Sequence, residues 1–189
     1  MIAALIIDMQ NAFFENPDLA ARQDELVAAC NDLIDVVEEA GGKVLLVKTE
    51  HERDRSTWTL SMLDDDQGFI FRGTEQADFL PGLRTDGLPC LAKTRDSAFI
   101  GTDALLRLRN WGVDQVILAG VSTHNCIAQT AADAFANNIR VAYAREAIGS
   151  EDEEAAEAVL SILSKGYRQA VLTPPQVKEL LRTRLTDHR

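Results

Sequence analysis

Short apolar runs alternate with amphipathic stretches along the whole chain. The first run, Ile2–Ile7, is continuously apolar and ends at Asp8. A run of that length without polar alternation predicts a central strand buried on both faces. Similar runs predict further strands at Lys43–Lys48, Pro89–Ala92, Gln115–Ala119, Ile139–Ala144 and Gln169–Leu172. Between them the periodicity changes to that of a helix. Asp24–Ala40 carries Leu26, Cys30, Leu33, Ile34 and Val37 on one stripe, and Gly41-Gly42 stops it. Thr102–Trp111 is closed by Gly112, and Ile127–Asn137 by Asn138 as a left-handed cap. Ser150 and Glu153 fit a capping box at the start of another helix, so the acidic run Glu151–Glu154 reads as helix-end electrostatics. Pro174–Leu185 predicts the last helix. Strands alternating with helices predict an α/β fold with a mostly parallel sheet.

The stretch from Glu50 to Gly87 is weakly periodic and rich in turn residues. It is too long for a simple connection and reads as a functional loop. At 189 residues the chain is expected to form one domain. Its formal charge of −11 argues against nucleic acid and against an anionic membrane as partner. Three cysteines, an odd count, fit a reducing cytoplasm rather than a disulfide framework. The apolar N-terminus has no basic region and is too short to span a bilayer, so it reads as a strand, not a leader.

Cys126 carries the strongest chemical signal. It ends the run Gly120-Val121-Ser122-Thr123-His124-Asn125-Cys126, straight after a buried strand and in the first turn of a helix. Free N–H groups and the helix dipole converge there and are expected to favour the thiolate, the nucleophilic form. In open parallel sheets, ligands bind beyond the carboxyl ends of the strands. Asp8 and Lys93 also stand at such ends, so three reactive residues are expected to meet on one rim. The residues alone leave a histidine base open, since His124 precedes Cys126 by two positions. Cys30 and Cys90 read as inert, and Arg182, Arg184, His188 and Arg189 as solvated.

Three segments carry a family resemblance. Asp8-Met9-Gln10-Asn11-Ala12-Phe13-Phe14 looks like the first motif of the isochorismatase-like cysteine hydrolase superfamily. Lys93-Thr94-Arg95-Asp96-Ser97-Ala98-Phe99 looks like the second, and Gly120 to Cys126, continued by Thr130 to Ala134, like the third. The resemblance implies a doubly wound, mostly parallel, six-stranded sheet with helices on both faces. It implies a triad in which Asp8 moves protons, Lys93 holds Asp8 ionised and Cys126 attacks a carbonyl. It also implies a cis peptide between Val121 and Ser122, and an oxyanion hole from the N–H groups of Ser122 and Cys126. The activity implied is cleavage of a small amide, ureide or carbamoyl compound. Two other readings stand beside it: a vinyl-ether hydrolase of isochorismatase type, and a non-catalytic small-molecule binding domain. A homo-oligomer, dimer or tetramer, is expected.

Phe13, Phe14, His51, Trp58, Phe99 and His124 are the candidate pocket residues. Nicotinamidases of the superfamily bind a divalent ion through an Asp-x-His element and further histidine. This chain has Thr49-Glu50-His51 and no second histidine nearby; Glu52 and Asp54 add little. The expectation is a site without metal or other cofactor, and the departure weighs against nicotinamidase activity.

Overall fold

A computed structural model describes residues 1–186. Six strands form one sheet in the order β3-β2-β1-β4-β5-β6. They are β1 (Ile2–Ile7), β2 (Lys43–Thr49), β3 (Cys90–Lys93), β4 (Gln115–Gly120), β5 (Arg140–Ile148) and β6 (Ala170–Leu172). All the pairings between them are parallel. The order reverses between β1 and β4. That reversal opens a crevice at the carboxyl ends of these two strands, the place where such sheets bind ligands.

Alternation in β1 shows why the sheet is covered on both sides. Ile2, Ala4 and Ile6 enter one core, and Ala3, Leu5 and Ile7 enter the other. Helices α1 (Pro17–Ala20), α2 (Gln23–Glu39) and α7 (Pro174–Thr186) lie on the first face. Helices α4 (Ala104–Asn110), α5 (Ala128–Ala136) and α6 (Glu153–Tyr167) lie on the second. Short α3 (Leu60–Asp64) belongs to the long segment after β2. Among the described residues, no helix is long and apolar enough to cross a membrane.

Helix α2 buries Leu26, Val27, Cys30, Leu33, Ile34 and Val37. Each fully buried Leu, Ile or Val contributes about 1.5–3 kcal/mol. The helix ends in a Schellman pattern: Gly41 N–H donates to Glu38 O and Gly42 N–H to Val37 O, both at 2.8 Å. Gly41 takes the left-handed φ of 71° that this ending requires. Cys30 is completely buried, and burial pushes its thiol up to about 12. The unfolded thiol titrates near 9, so a folded pKa raised above that value gives stability that is complete below pH 9. That stability falls as pH rises from 9 towards 12, by at most about 1.4 kcal/mol per pH unit from this group. Urea unfolding under reducing conditions should therefore show a shallower loss between pH 9 and 10.5 for Cys30→Ala than for the parent chain.

Two details depart from the sequence reading. Helix α6 is capped by Asp152, whose carboxylate accepts Ala155 N–H at 2.9 Å, and not by Ser150. The backbone is still extended at Asp152, so Ser150 lies too early to cap the helix. Its hydroxyl pairs instead with the Asp152 backbone and with His124. Arg184 is not simply solvated: it pairs with Asp114 at 3.0 Å and with Gln115 at 3.2 Å. His188 and Arg189 lie outside the described residues.

Candidate active site

Asp8 is placed by the end of β1. Its N–H donates to Val47 O at 2.8 Å, and its φ of 55° turns the chain sharply out of the strand. An aspartate tolerates that left-handed conformation better than most residues. Lys93 is the last residue of β3, two strands away. Cys126 follows β4 in a wide turn of π type, Thr123–Ile127, in which Ile127 N–H reaches back to Ser122 O at 3.2 Å. The peptide between Val121 and Ser122 is cis.

The three side chains meet below the surface. Lys93 Nζ lies 2.8 Å from Asp8 Oδ2, with the two side chains 1% and 0% exposed. The same ammonium donates to Cys126 Sγ at 3.4 Å and to Thr49 Oγ1 at 2.8 Å. Thr49 in turn donates its hydroxyl hydrogen to Asp8 Oδ1 at 2.9 Å. Asp8 Oδ2 is buried and receives no aligned hydrogen bond, although Lys93 neutralises it. That oxygen therefore keeps a lone pair for an incoming proton.

Burial alone would lower the Lys93 ammonium, but Asp8 and Cys126 outweigh it and hold its pKa above the ordinary lysine value. The Cys126 thiol moves the opposite way from the sequence expectation. Burial first, then the Asp8 charge, push it well above the ordinary value, with Lys93 opposing. Helix-end dipoles at a nearly enclosed sulfur do not offset desolvation beside a carboxylate. Burial and the adjacent carboxylate thus favour the thiol form over a free thiolate.

Thr49 and Gln10 are the parts that residue-type reasoning missed. The Gln10 side chain is fully buried and ties the end of β2 to the long segment that follows it. It donates to Thr49 O and Ala77 O, each at 2.8 Å, and accepts Thr49 N–H at 2.7 Å. Gln10 thus fixes Thr49, which fixes the Asp8–Lys93 pair. Glu151 was also missed, absorbed into an acidic run. Glu153 and Glu154 do stand in the first turn of α6, but Glu151 turns back and accepts the Ser122 hydroxyl.

A cavity of about 390 Å³ opens above the sulfur. Phe13 and His51 line it, as do Phe69, Arg95 and Asp96. Phe14 turns instead into the core beneath β1. Trp58 lies behind the wall, its indole N–H donating to Glu52 O at 2.9 Å and its ring 6.3 Å from Phe71. Phe99 packs against the second core. His124 is held away from the cavity, with Nδ1 2.7 Å from Ser150 Oγ and Nε2 3.8 Å from Glu151.

The residues around His51 do not fit a metal ion. Thr49 spends its hydroxyl on Asp8 and Lys93, and Glu50 faces Lys48 and Arg72. Among the described residues, no three His, Cys, Asp or Glu side chains converge as a ligand set.

Residues 3–174 match the isochorismatase domain model. The chain belongs to the isochorismatase family. An Arabidopsis thaliana relative described as a probable inactive nicotinamidase is 32% identical, aligned over 71% of this chain and 72% of its own length. The nicotinamidase/pyrazinamidase of Mycobacterium tuberculosis is 31% identical over 74% of this chain and 81% of its own. Among solved structures, an isochorismatase family protein from Desulfovibrio vulgaris superposes with a TM-score of 0.79 at 32% identity, covering 90% of this chain and 93% of that one. N-carbamoylsarcosine amidase from Thermoplasma acidophilum shares the fold, with a TM-score of 0.78 at 22% identity and coverage of 91% and 95%.

Proposed function

We propose that this family member is a cysteine-dependent amidohydrolase. It cleaves a C–N bond of a small amide, ureide or carbamoyl compound through a thioester. The observation that carries this reading is the buried contact set in which one ammonium touches both Asp8 and Cys126. A lysine with a purely structural role does not need a thiol as its third partner.

The steps follow from the charges. Asp8 takes the Cys126 proton as Sγ attacks the substrate carbonyl carbon, so no isolated thiolate has to persist in the enclosed site. Lys93 offsets the negative charge that moves between Asp8 and sulfur. The tetrahedral oxyanion is assigned to the N–H groups of Ser122 and Cys126. Such a donor is worth about 3–4 kcal/mol of barrier. Collapse breaks the C–N bond, and Asp8 returns its proton to the leaving nitrogen. Water then attacks the thioester, losing a proton to Asp8, and the thiolate leaves to be protonated again. The Mycobacterium tuberculosis relative described as a nicotinamidase/pyrazinamidase fits this class of chemistry.

Ammonia release across a panel of primary amides and ureides tests the reading, with Cys126→Ala as control. The parent chain should turn over at least one compound, and the variant should fall about a thousandfold or more. Silence across the panel from folded protein sinks the proposal. Ammonia release that survives Cys126→Ala overturns the thioester mechanism.

A further inference from the structure

His51 is the buried polar group at the cavity that the triad does not use. It is 2% exposed and forms part of the cavity wall, two residues beyond Thr49. The backbone holds it firmly. Its N–H donates to Ile70 O at 2.9 Å, and its carbonyl accepts Arg72 N–H at 3.0 Å. Its Nδ1 lies 2.9 Å from Thr57 O. A carbonyl only accepts, so Nδ1 carries the hydrogen. Arg95 Nη1 donates to that same carbonyl, also at 2.9 Å. The shared oxygen fixes the imidazole beside a guanidinium.

Burial pulls the His51 pKa below the ordinary histidine value, against the Thr57 hydrogen bond, and the Arg95 and Lys93 charges pull the same way as burial. The ring is therefore neutral at neutral pH, with a lone pair on Nε2. No protein donor reaches Nε2 among the described residues, yet it is not one of the fully enclosed unpartnered atoms. It opens to the cavity.

We propose that His51 Nε2 accepts a hydrogen bond from a substrate N–H next to the scissile carbonyl, and so selects a ureide over the isosteric simple amide. The proposal rests on the thioester reading above, in which Asp8 serves the leaving nitrogen and His51 remains for the second one. A ureide offers that second N–H; an amide with CH2 in its place leaves the acceptor unpaired. An unpaired acceptor in a nearly closed wall translates into a preference of about 10- to 100-fold.

Matched pairs that differ only in NH against CH2 test it, such as N-carbamoylglycine and succinamate. The carboxylate common to both cancels in the comparison. Calorimetric binding to the Cys126→Ala protein should favour the ureide by about 10- to 100-fold. In turnover, His51→Leu should lower the ureide-to-amide ratio of kcat/KM by a similar factor, through the ureide alone. His51→Gln, which offers an oxygen acceptor, should restore part of the ratio. Equal affinities within the pairs, or no binding of any pair, overturn the proposal. So does an equal loss for both substrates in folded His51→Leu, which marks a structural role. If His51→Leu does not fold, the binding comparison still decides. Preferential ureide binding without turnover by the parent chain leaves the His51 assignment standing and removes the thioester mechanism.

Discussion

Lys93→Met is expected to cost about 3–5 kcal/mol of stability and to abolish hydrolysis. Lys93 and Asp8 are 1% and 0% exposed, and their charges lie 2.8 Å apart. Removing the ammonium leaves a carboxylate in the protein interior without a compensating cation, held by the Thr49 hydroxyl at 2.9 Å. The Cys126 sulfur loses its neighbouring cation at the same time. Breaking one half of a buried pair is far more damaging than losing both halves, because the remaining charge has no compensation. Adding Asp8→Asn to Lys93→Met should therefore recover about 2 kcal/mol or more, although two native groups are now gone. Asparagine also suits the φ of 55° at this position. Activity should stay absent in the double variant, because the carboxylate proposed to move the proton is gone. Urea unfolding of the two single variants and the double variant gives the coupling. Strictly additive losses would show that the pair is not a buried unit.

The strands were legible because their residues face core on both sides, so the apolar signal in Ile2–Ile7 and Gln115–Ala119 has no competing pattern. Asp8 and Cys126 were legible because strand ends in a parallel sheet share one rim; Lys93 stands on that rim too, but its role was legible only through the resemblance of its segment to the family's second motif. What hydrogen-bonds these residues was not legible. Thr49 is an ordinary strand residue in sequence, and only the pairing of β2 with β3 shows that it stands opposite Lys93. Glu151 was hidden by its neighbours, since three of the four residues in its run suit a helix start. The state of Cys126 was misjudged because a sequence displays the helix terminus but not the depth of the sulfur. Pocket walls were the weakest part. Whether Trp58 or Phe69 faces the cavity depends on how the long segment after β2 closes on itself, through the bridge between His51 and Phe71.

Gly120→Ala should be the most disruptive glycine-to-alanine change in this chain. A Cβ there would sit 1.9 Å from Ile7 O and 2.7 Å from Ile7 C, in a backbone with φ of 109°. Both obstacles are main chain, so no rotamer change relieves them. Ile7 and Gly120 are register partners at the ends of β1 and β4, and Val121 N–H donates to Ile7 O at 3.0 Å. Forcing the strands apart here breaks that bond and displaces Asp8 and the Cys126 turn together. A loss above about 4 kcal/mol is expected, with collapse of soluble yield. Gly87→Ala is the control: its φ is 74°, but nothing lies within 4 Å of an added Cβ. Left-handed strain alone costs about 1–2 kcal/mol, so this variant should fold and retain turnover. The gap between the two variants in urea midpoint isolates the close approach of the two strands from the backbone angle. Equal midpoints would mean that β1 and β4 can separate cheaply at their carboxyl ends, and the geometry that brings Asp8 to Cys126 would then lose its rigid frame.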